Sequence, residues 1–113
     1  MNKKLIFYIK QMKNTIKPFK LFVKGNSMYP TFKDKQEIEI IPYKNKNLKV
    51  GDIIVYQKFN SHLTVHRILD IIFLNDRRFY CITKGDNNTK KDDYIVFNSE
   101  IIGIVEESNY EKS

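Results

Sequence analysis

The side chains of this chain that are of the types that break bonds together are Ser27, His66 and the aspartates Asp86, Asp92 and Asp93. A serine hydroxyl is too weakly acidic to attack a carbonyl at neutral pH unaided. A neutral imidazole can take its proton, and a carboxylate can orient that imidazole. Ser27 lies in Gly25-Asn26-Ser27-Met28-Tyr29-Pro30, a glycine-containing turn that exposes its hydroxyl and leaves backbone N–H groups beside it. His66 lies in Thr64-Val65-His66-Arg67-Ile68, among apolar strand residues. Asp86 lies in Thr83-Lys84-Gly85-Asp86-Asn87-Asn88, with Asp92 and Asp93 after it. By residue type alone this is a weak signal, because most domains contain serine, histidine and aspartate. An ordinary turn serine and a packed strand histidine are the bland readings. His62 and His66 are four apart, about 13 Å along a strand, which is too far for one metal ion. No metal or cofactor is expected. Cys81 sits in an apolar strand and reads as packing.

The elements that must carry these side chains are mostly strands. Runs with period two or short apolar stretches predict strands at 21–24, 37–42, 52–59, 63–74, 78–83 and 101–106. Turn clusters separate them at 33–35, 45–47, 51–52, 75–76 and 85–88. Asn75-Asp76 between two strand runs predicts a hairpin, and so a long ribbon from about 63 to 83. A β unit of this size has to deal with its edges. The expected fold is therefore mainly β, a small coiled, partly closed and barrel-like sheet. Ahead of it, Leu5, Ile9, Met12 and Ile16 recur at the helical period, predicting one amphipathic helix over 3–17 that Pro18 stops. The division expected is a basic helix at 1–18 and a β domain at 19–113.

Charge divides the chain at nearly the same place. Of its 113 residues, 20 are Lys or Arg and 13 are Asp or Glu, a net charge of +7. Residues 1–24 hold seven lysines and no acid, and residues 25–113 balance 13 bases against 13 acids. A neutral body argues against a folded nucleic-acid-binding surface. The longest apolar run near the N-terminus is Leu5–Ile9, too short for a membrane span or a secretory signal. The location expected is cytoplasmic or peripheral at a membrane surface. A helix with one apolar face and a basic remainder suits an anionic interface or an acidic partner, and equally a lid over the domain. One cysteine leaves no internal disulfide.

Read in order, the segments resemble the signal peptidase I clan, which includes the SOS-repressor autoproteases. The matching residues are Ser27-Met28-Tyr29-Pro30, Gly51-Asp52-Ile53-Ile54-Val55, His66-Arg67, Lys84-Gly85-Asp86-Asn87-Asn88 with Asp92, and Ile102-Gly103-Ile104-Val105. They span about residues 21–106. Many relatives place a lysine at the base position; His66 followed by Arg67 resembles the endoplasmic-reticulum, archaeal and sporulation-type branch, which works with a Ser–His pair. The resemblance implies Ser27 as nucleophile, His66 as base and Asp92 as the carboxylate behind it, with Asp93 the adjacent alternative. Asp86 is then the residue that organises the turn, and Arg67 either lines the site or makes a structural ion link. Met28 is expected to pack under the substrate, and Tyr29 to face substrate or solvent. Relatives often carry serine or glycine two residues before the nucleophile. Gly25 has no hydroxyl to donate, so an oxyanion would rest on backbone N–H groups, and one missing donor costs about 10²–10³ in rate.

The activity implied is a serine endopeptidase that removes a leader or signal segment from a small precursor peptide or an exported protein. The substrate would bind as an added strand with small side chains near the cut. The competing reading is a catalytically idle β module that binds a peptide or partner.

Overall fold

Alternation along Glu37–Pro42 is strict: Ile38, Ile40 and Pro42 are buried while Glu37, Glu39 and Ile41 are not. That is the pattern of a strand with one face on a core. The computed structural model describes residues 11–44, 47–59 and 62–110. It contains β1 (Phe19–Phe22), β2 (Glu37–Pro42), β3 (Ile53–Gln57), β4 (Leu63–Phe73), β5 (Phe79–Lys84), β6 (Val96–Phe97) and β7 (Ile101–Val105). Two short 3₁₀ helices cover Asn98–Glu100 and Glu107–Asn109. All six expected strands are present, although β1 starts and ends two residues early. β6 and the 3₁₀ helices were not expected; two residues are too few to show a period.

The seven strands form one antiparallel sheet in the order β1-β2-β7-β3-β4-β5-β6. The sheet does not close, which corrects the expectation of a partly closed, barrel-like form. Among the described residues β1 pairs with β2 alone, and β6 pairs with β5 over two residues. The outer side of β1 faces a groove rather than another strand. The hairpin between β4 and β5 is built differently from the expected two-residue turn. Asn75 Oδ1 accepts from the N–H groups of Arg77 and Arg78, both at 2.9 Å, and Leu74 N–H donates to the Arg78 carbonyl.

Of the expected N-terminal helix, residues 11–14 are helical and residues 1–10 lie outside the described residues, as do two of the expected turn residues, 45 and 46. The helical turn ends at Asn14, before Pro18. Lys44 Nζ donates to the Lys13 carbonyl and Lys13 Nζ to the Ser99 carbonyl, both exposed contacts.

Both faces of the sheet carry a buried cluster, and among the described residues connections rather than helices cover them. On one face Ile38, Ile40, Ile53, Val55 and Val105 pack with Val23, Met28 and Phe32 from the β1–β2 connection. On the other, Ile54, Tyr56, Ile68, Cys81, Val96 and Ile101 form a second cluster, flanked by Tyr43, Leu48 and Tyr94. β3 supplies both clusters, so it reads as a continuous apolar run. Two irregularities keep the faces apolar. The β4–β5 register shifts between Ile68 and Asp70, so Ile68 and Ile71 share the second face despite odd spacing. A shift on the β3–β7 ladder does the same for Ile101 and Ile104.

Tight turns at the ends of this sheet set its register. Gly51 takes φ +98°, which favours glycine, and turns the chain into β3. The buried Asp52 carboxylate accepts from Lys49 N–H (3.0 Å) and Lys49 Nζ (2.9 Å). Beside that turn, Arg67 on β4 clamps the turn after β5. Its Nε and Nη2 donate to the two Asp86 oxygens at 2.9 and 2.8 Å, and its Nη1 to the Gly51 carbonyl. Thr31 Oγ1 donates to Asp86 Oδ2 as well. Arg67 thus makes the structural link of the two alternatives raised by the sequence.

Two outcomes follow from this packing. A Cβ at Gly103 would overlap the Ile40 side chain and lie 2.8 Å from the Ile41 carbonyl. Gly103→Ala should cost about 1–3 kcal/mol by overpacking, read from the urea midpoint. Burial works against the Asp86 charge, but the bonds from Arg67 and Thr31 outweigh it and hold the carboxyl below its usual value. Its stabilisation is therefore complete above about pH 4 and is lost as pH falls through the lowered native value. Asp86→Asn should be less stable at pH 7 by about 1–2 kcal/mol. In urea titrations the gap to the parent chain should narrow below pH 4, and a gap constant to pH 2 would contradict the ion pair's contribution.

Candidate active site

Ser27 stands in the turn that follows β1. Gly25 begins that turn at φ +85°, and its N–H donates to Asp34 Oδ1 at 2.7 Å. A side chain there would be strained by the backbone angle even though space is open around it. Tyr29 N–H donates to the Asn26 carbonyl and Phe32 N–H to the Met28 carbonyl, which winds residues 26–32 tightly. Buried Met28 and Phe32 anchor the winding in the first core cluster, so Ser27 is held half-buried at its edge.

His66 is buried on β4, opposite Ile54 of β3. Its position precedes the first β4–β5 pair, Arg67 with Lys84, so no β5 residue lies across from it. The chain beyond β5 fills that place. Asp92 N–H donates to the Thr83 carbonyl at 2.8 Å, bringing the loop back along the end of β5. Asn87 N–H donates to the Ser27 carbonyl at 2.8 Å, and Asn87 Nδ2 to the Asn26 carbonyl at 3.0 Å. These bonds lock the turn at 85–88 to the turn that carries Ser27.

The three candidate side chains meet in line. Ser27 Oγ lies 3.1 Å from His66 Nε2, and His66 Nδ1 lies 2.7 Å from Asp92 Oδ2. With Nδ1 protonated and donating to the carboxylate, the Nε2 lone pair is left to accept the serine proton. Asp92 Oδ2 also accepts from Thr83 Oγ1 at 2.7 Å and from Tyr56 OH at 3.2 Å. Tyr56 OH is 2.7 Å from Tyr94 OH. Of the two aspartates left open by the sequence, Asp92 is the one at the histidine; Asp93 is exposed. Asp86 is engaged with Arg67 and Thr31, not with His66.

A groove of about 360 Å³ opens on Ser27 and His66. One wall is the outer edge of β1 and the residues after it, Leu21–Lys24; the other is 62–65 at the start of β4. Met28 lines its floor, and Tyr94 closes one side. Tyr29 is half exposed and does not line the groove; His62, exposed, does. Among the described residues no three His, Cys, Asp or Glu side chains gather as a metal site. Burial pushes the Cys81 thiol up to about 11, which leaves it un-ionised at neutral pH and inert as a nucleophile.

Tyr56, Thr83 and Tyr94 reach this cluster without having been singled out in the sequence. Tyr56 reads there as one more apolar strand position and Thr83 as a strand end. Their common approach to Asp92 comes from three different elements, and nothing local signals it.

Comparison with known proteins gives a consistent relationship. No family model matches the chain. It is 31% identical over 101 residues to the signal peptidase complex catalytic subunit SEC11 of Debaryomyces hansenii, covering 81% of this chain and 59% of that protein. It is 31% identical over 70 residues to the signal peptidase complex catalytic subunit SEC11 of Plasmodium falciparum, covering 55% of this chain and 38% of that one. The chain thus spans less than two thirds of the length of these relatives. No helix among the described residues is long and apolar enough to cross a membrane. The shared sequence supports a signal-peptidase-like relationship.

Proposed function

We propose that this chain is a serine endopeptidase that removes a leader or signal segment from a precursor peptide or exported protein through Ser27, His66 and Asp92. The observation that carries the reading is the continuous line from Ser27 Oγ through both His66 nitrogens to Asp92 Oδ2, at 3.1 and 2.7 Å. A binding module has no use for that alignment beside a groove.

The chemistry follows from the geometry. His66 Nε2 takes the Ser27 proton as Oγ bonds to the scissile carbonyl carbon, and the imidazolium that forms is stabilised by Asp92. The oxyanion is met by backbone N–H groups including that of Ser27, since Gly25 offers no hydroxyl and its own N–H is taken by Asp34. Nε2 then returns its proton to the leaving amine, and the acyl-serine remains. Water repeats the sequence in reverse, giving its proton to Nε2 and releasing the carboxyl product.

The groove supports an extended substrate. Among the described residues β1 has an unpaired outer edge, and residues 63–66 of β4 pair only with β3. A peptide lying between them could take backbone hydrogen bonds as an added strand. Apolar Leu21, Val23, Met28, Leu63 and Val65 form the surface beneath it, which suits small apolar side chains next to the cut. The basic segment ahead of the β domain fits docking to an anionic membrane or acidic partner. In support, Ile16 of the apolar stripe is 81% exposed rather than packed in the domain core.

Incubation with a fluorophosphonate or a β-lactam-type acylating probe should label Ser27, read by intact mass and peptide mapping. Ser27→Ala and His66→Ala should abolish labelling. Asp92→Asn should slow it about 10³–10⁴-fold, whereas Asp93→Asn should leave it nearly unchanged. The rate should fall on the acid side of neutrality as the base takes a proton, and a profile flat to pH 4 would rule out a histidine base. An unlabelled parent chain together with normal cellular function of Ser27→Ala would overturn the enzyme reading in favour of an idle binding module. Deleting residues 1–17 should abolish sedimentation with vesicles containing anionic lipid and spare the labelling of Ser27. Loss of folding on that deletion would instead identify the segment as a structural lid.

A further inference from the structure

Asp92 is held by more than His66. Its Oδ2 accepts from Thr83 Oγ1 at 2.7 Å and from Tyr56 OH at 3.2 Å, besides His66 Nδ1 at 2.7 Å. Thr83 and Tyr56 are both fully buried, on β5 and β3, so neither hydroxyl has solvent as a partner. A single proton assignment satisfies the whole cluster. Thr83 donates to Asp92, Tyr56 donates to Asp92, and Tyr94 donates to the Tyr56 oxygen at 2.7 Å. Burial raises the Tyr56 phenol far above its ordinary value, so it remains a protonated donor at any working pH. Tyr94 at the same time lines the groove beside Ser27 and His66.

We propose that the Tyr56 and Thr83 hydroxyls, with Tyr94 behind Tyr56, are positioning residues that fix the Asp92 carboxylate so that Oδ2 meets His66 Nδ1. The proposal rests on the Ser–His–Asp reading above. A carboxylate in the irregular loop between β5 and β6 has two torsions to settle. Two buried donors from separate strands leave one rotamer in which every donor is satisfied. That rotamer sets the imidazole tautomer and points Nε2 at Ser27. Through Tyr94 the same chain of hydroxyls reaches the wall that a bound peptide would touch, so the groove and the base share one hydrogen-bonded support.

The test uses the full chain and the two acylating probes, with labelling rate measured from pH 5 to 9 and melting recorded for each variant. Tyr56→Phe should slow labelling of Ser27 by about 10–100-fold, the scale of removing an outer partner from a working histidine. Its acid-side fall should also begin at a higher pH, because a carboxylate with fewer donors holds the imidazolium proton more strongly. A packing defect alone would lower the melting point without moving the pH profile. Thr83→Ser keeps the donor and should label near the parent rate, whereas Thr83→Val should be slowed like Tyr56→Phe. Parent-like rate and pH profile in Tyr56→Phe would overturn the proposal and leave Ser27, His66 and Asp92 in their roles. If Tyr56→Phe does not fold, the threonine pair decides, and equal labelling of Thr83→Ser and Thr83→Val overturns it. A parent chain that neither probe labels removes the catalytic reading itself, and this proposal with it.

Discussion

Two turns that are some sixty residues apart in the chain touch at Gly85, and the site depends on that contact. A Cβ at this position would lie 2.6 Å from the Ser27 carbonyl oxygen, 2.7 Å from Asn88 Nδ2 and 3.1 Å from His66 Nε2. Any side chain here would wedge the Ser27 turn away from the histidine. With glycine the turns close, and Asn87 can bond both Asn26 and Ser27 through backbone and side chain. The Arg67–Asp86 pair then fixes the far side of the same turn to β4, the strand that carries His66. Ser27 and His66 are thereby referenced to one rigid strand rather than to two independent loops. Their separation matters to the proposed chemistry, because proton transfer requires hydrogen-bond distance.

That strand is itself held by the unusual economy of the sheet. No helix among the described residues covers either face, so the connections must do it. Val23, Met28 and Phe32 lie in the segment that also bears Ser27, and they anchor it in the first core cluster. Tyr94 and Val96 lie in the segment that follows Asp92, and they anchor it in the second. Ser27 is therefore followed at once by buried Met28, and Asp92 lies four residues before buried Val96. The site sits where the two covering segments meet at the β4 end, which is also where β5 has not yet begun to pair. An unpaired stretch of strand edge there costs little, because it borders the groove.

Much of this was legible one segment at a time. Strand positions followed from alternation in β2 and from the apolar run of β3, since the pleat imposes period two on any half-buried strand. Ser27, His66 and the aspartates after Lys84-Gly85-Asp86 stood out by their order along the chain, and three of them do converge. The openness of the sheet was not legible, because whether β1 meets β6 is decided by curvature summed over seven strands. β6 was too short to leave a pattern. Of the helix expected at 3–17, residues 11–14 are helical among those described, which does not show an amphipathic helix. The choice between Asp92 and Asp93 was also beyond the sequence: neighbours in the chain point to opposite sides, and only the bond from Asp92 N–H to Thr83 selects which one turns inward.

By itself, then, the sequence determined the inventory and its local setting: a glycine-containing turn before Ser27, a histidine on a strand, carboxylates after a turn, and a basic segment ahead of a neutral body. Those are properties of short windows, governed by propensity, turn chemistry and periodicity. The tertiary structure decided which carboxylate supports His66, that Tyr56, Thr83 and Tyr94 surround it, and that the groove runs between the edges of β1 and β4. Each of these joins residues from separate elements, and such meetings are fixed by strand order, bulges and core packing together, which no single window of the chain contains.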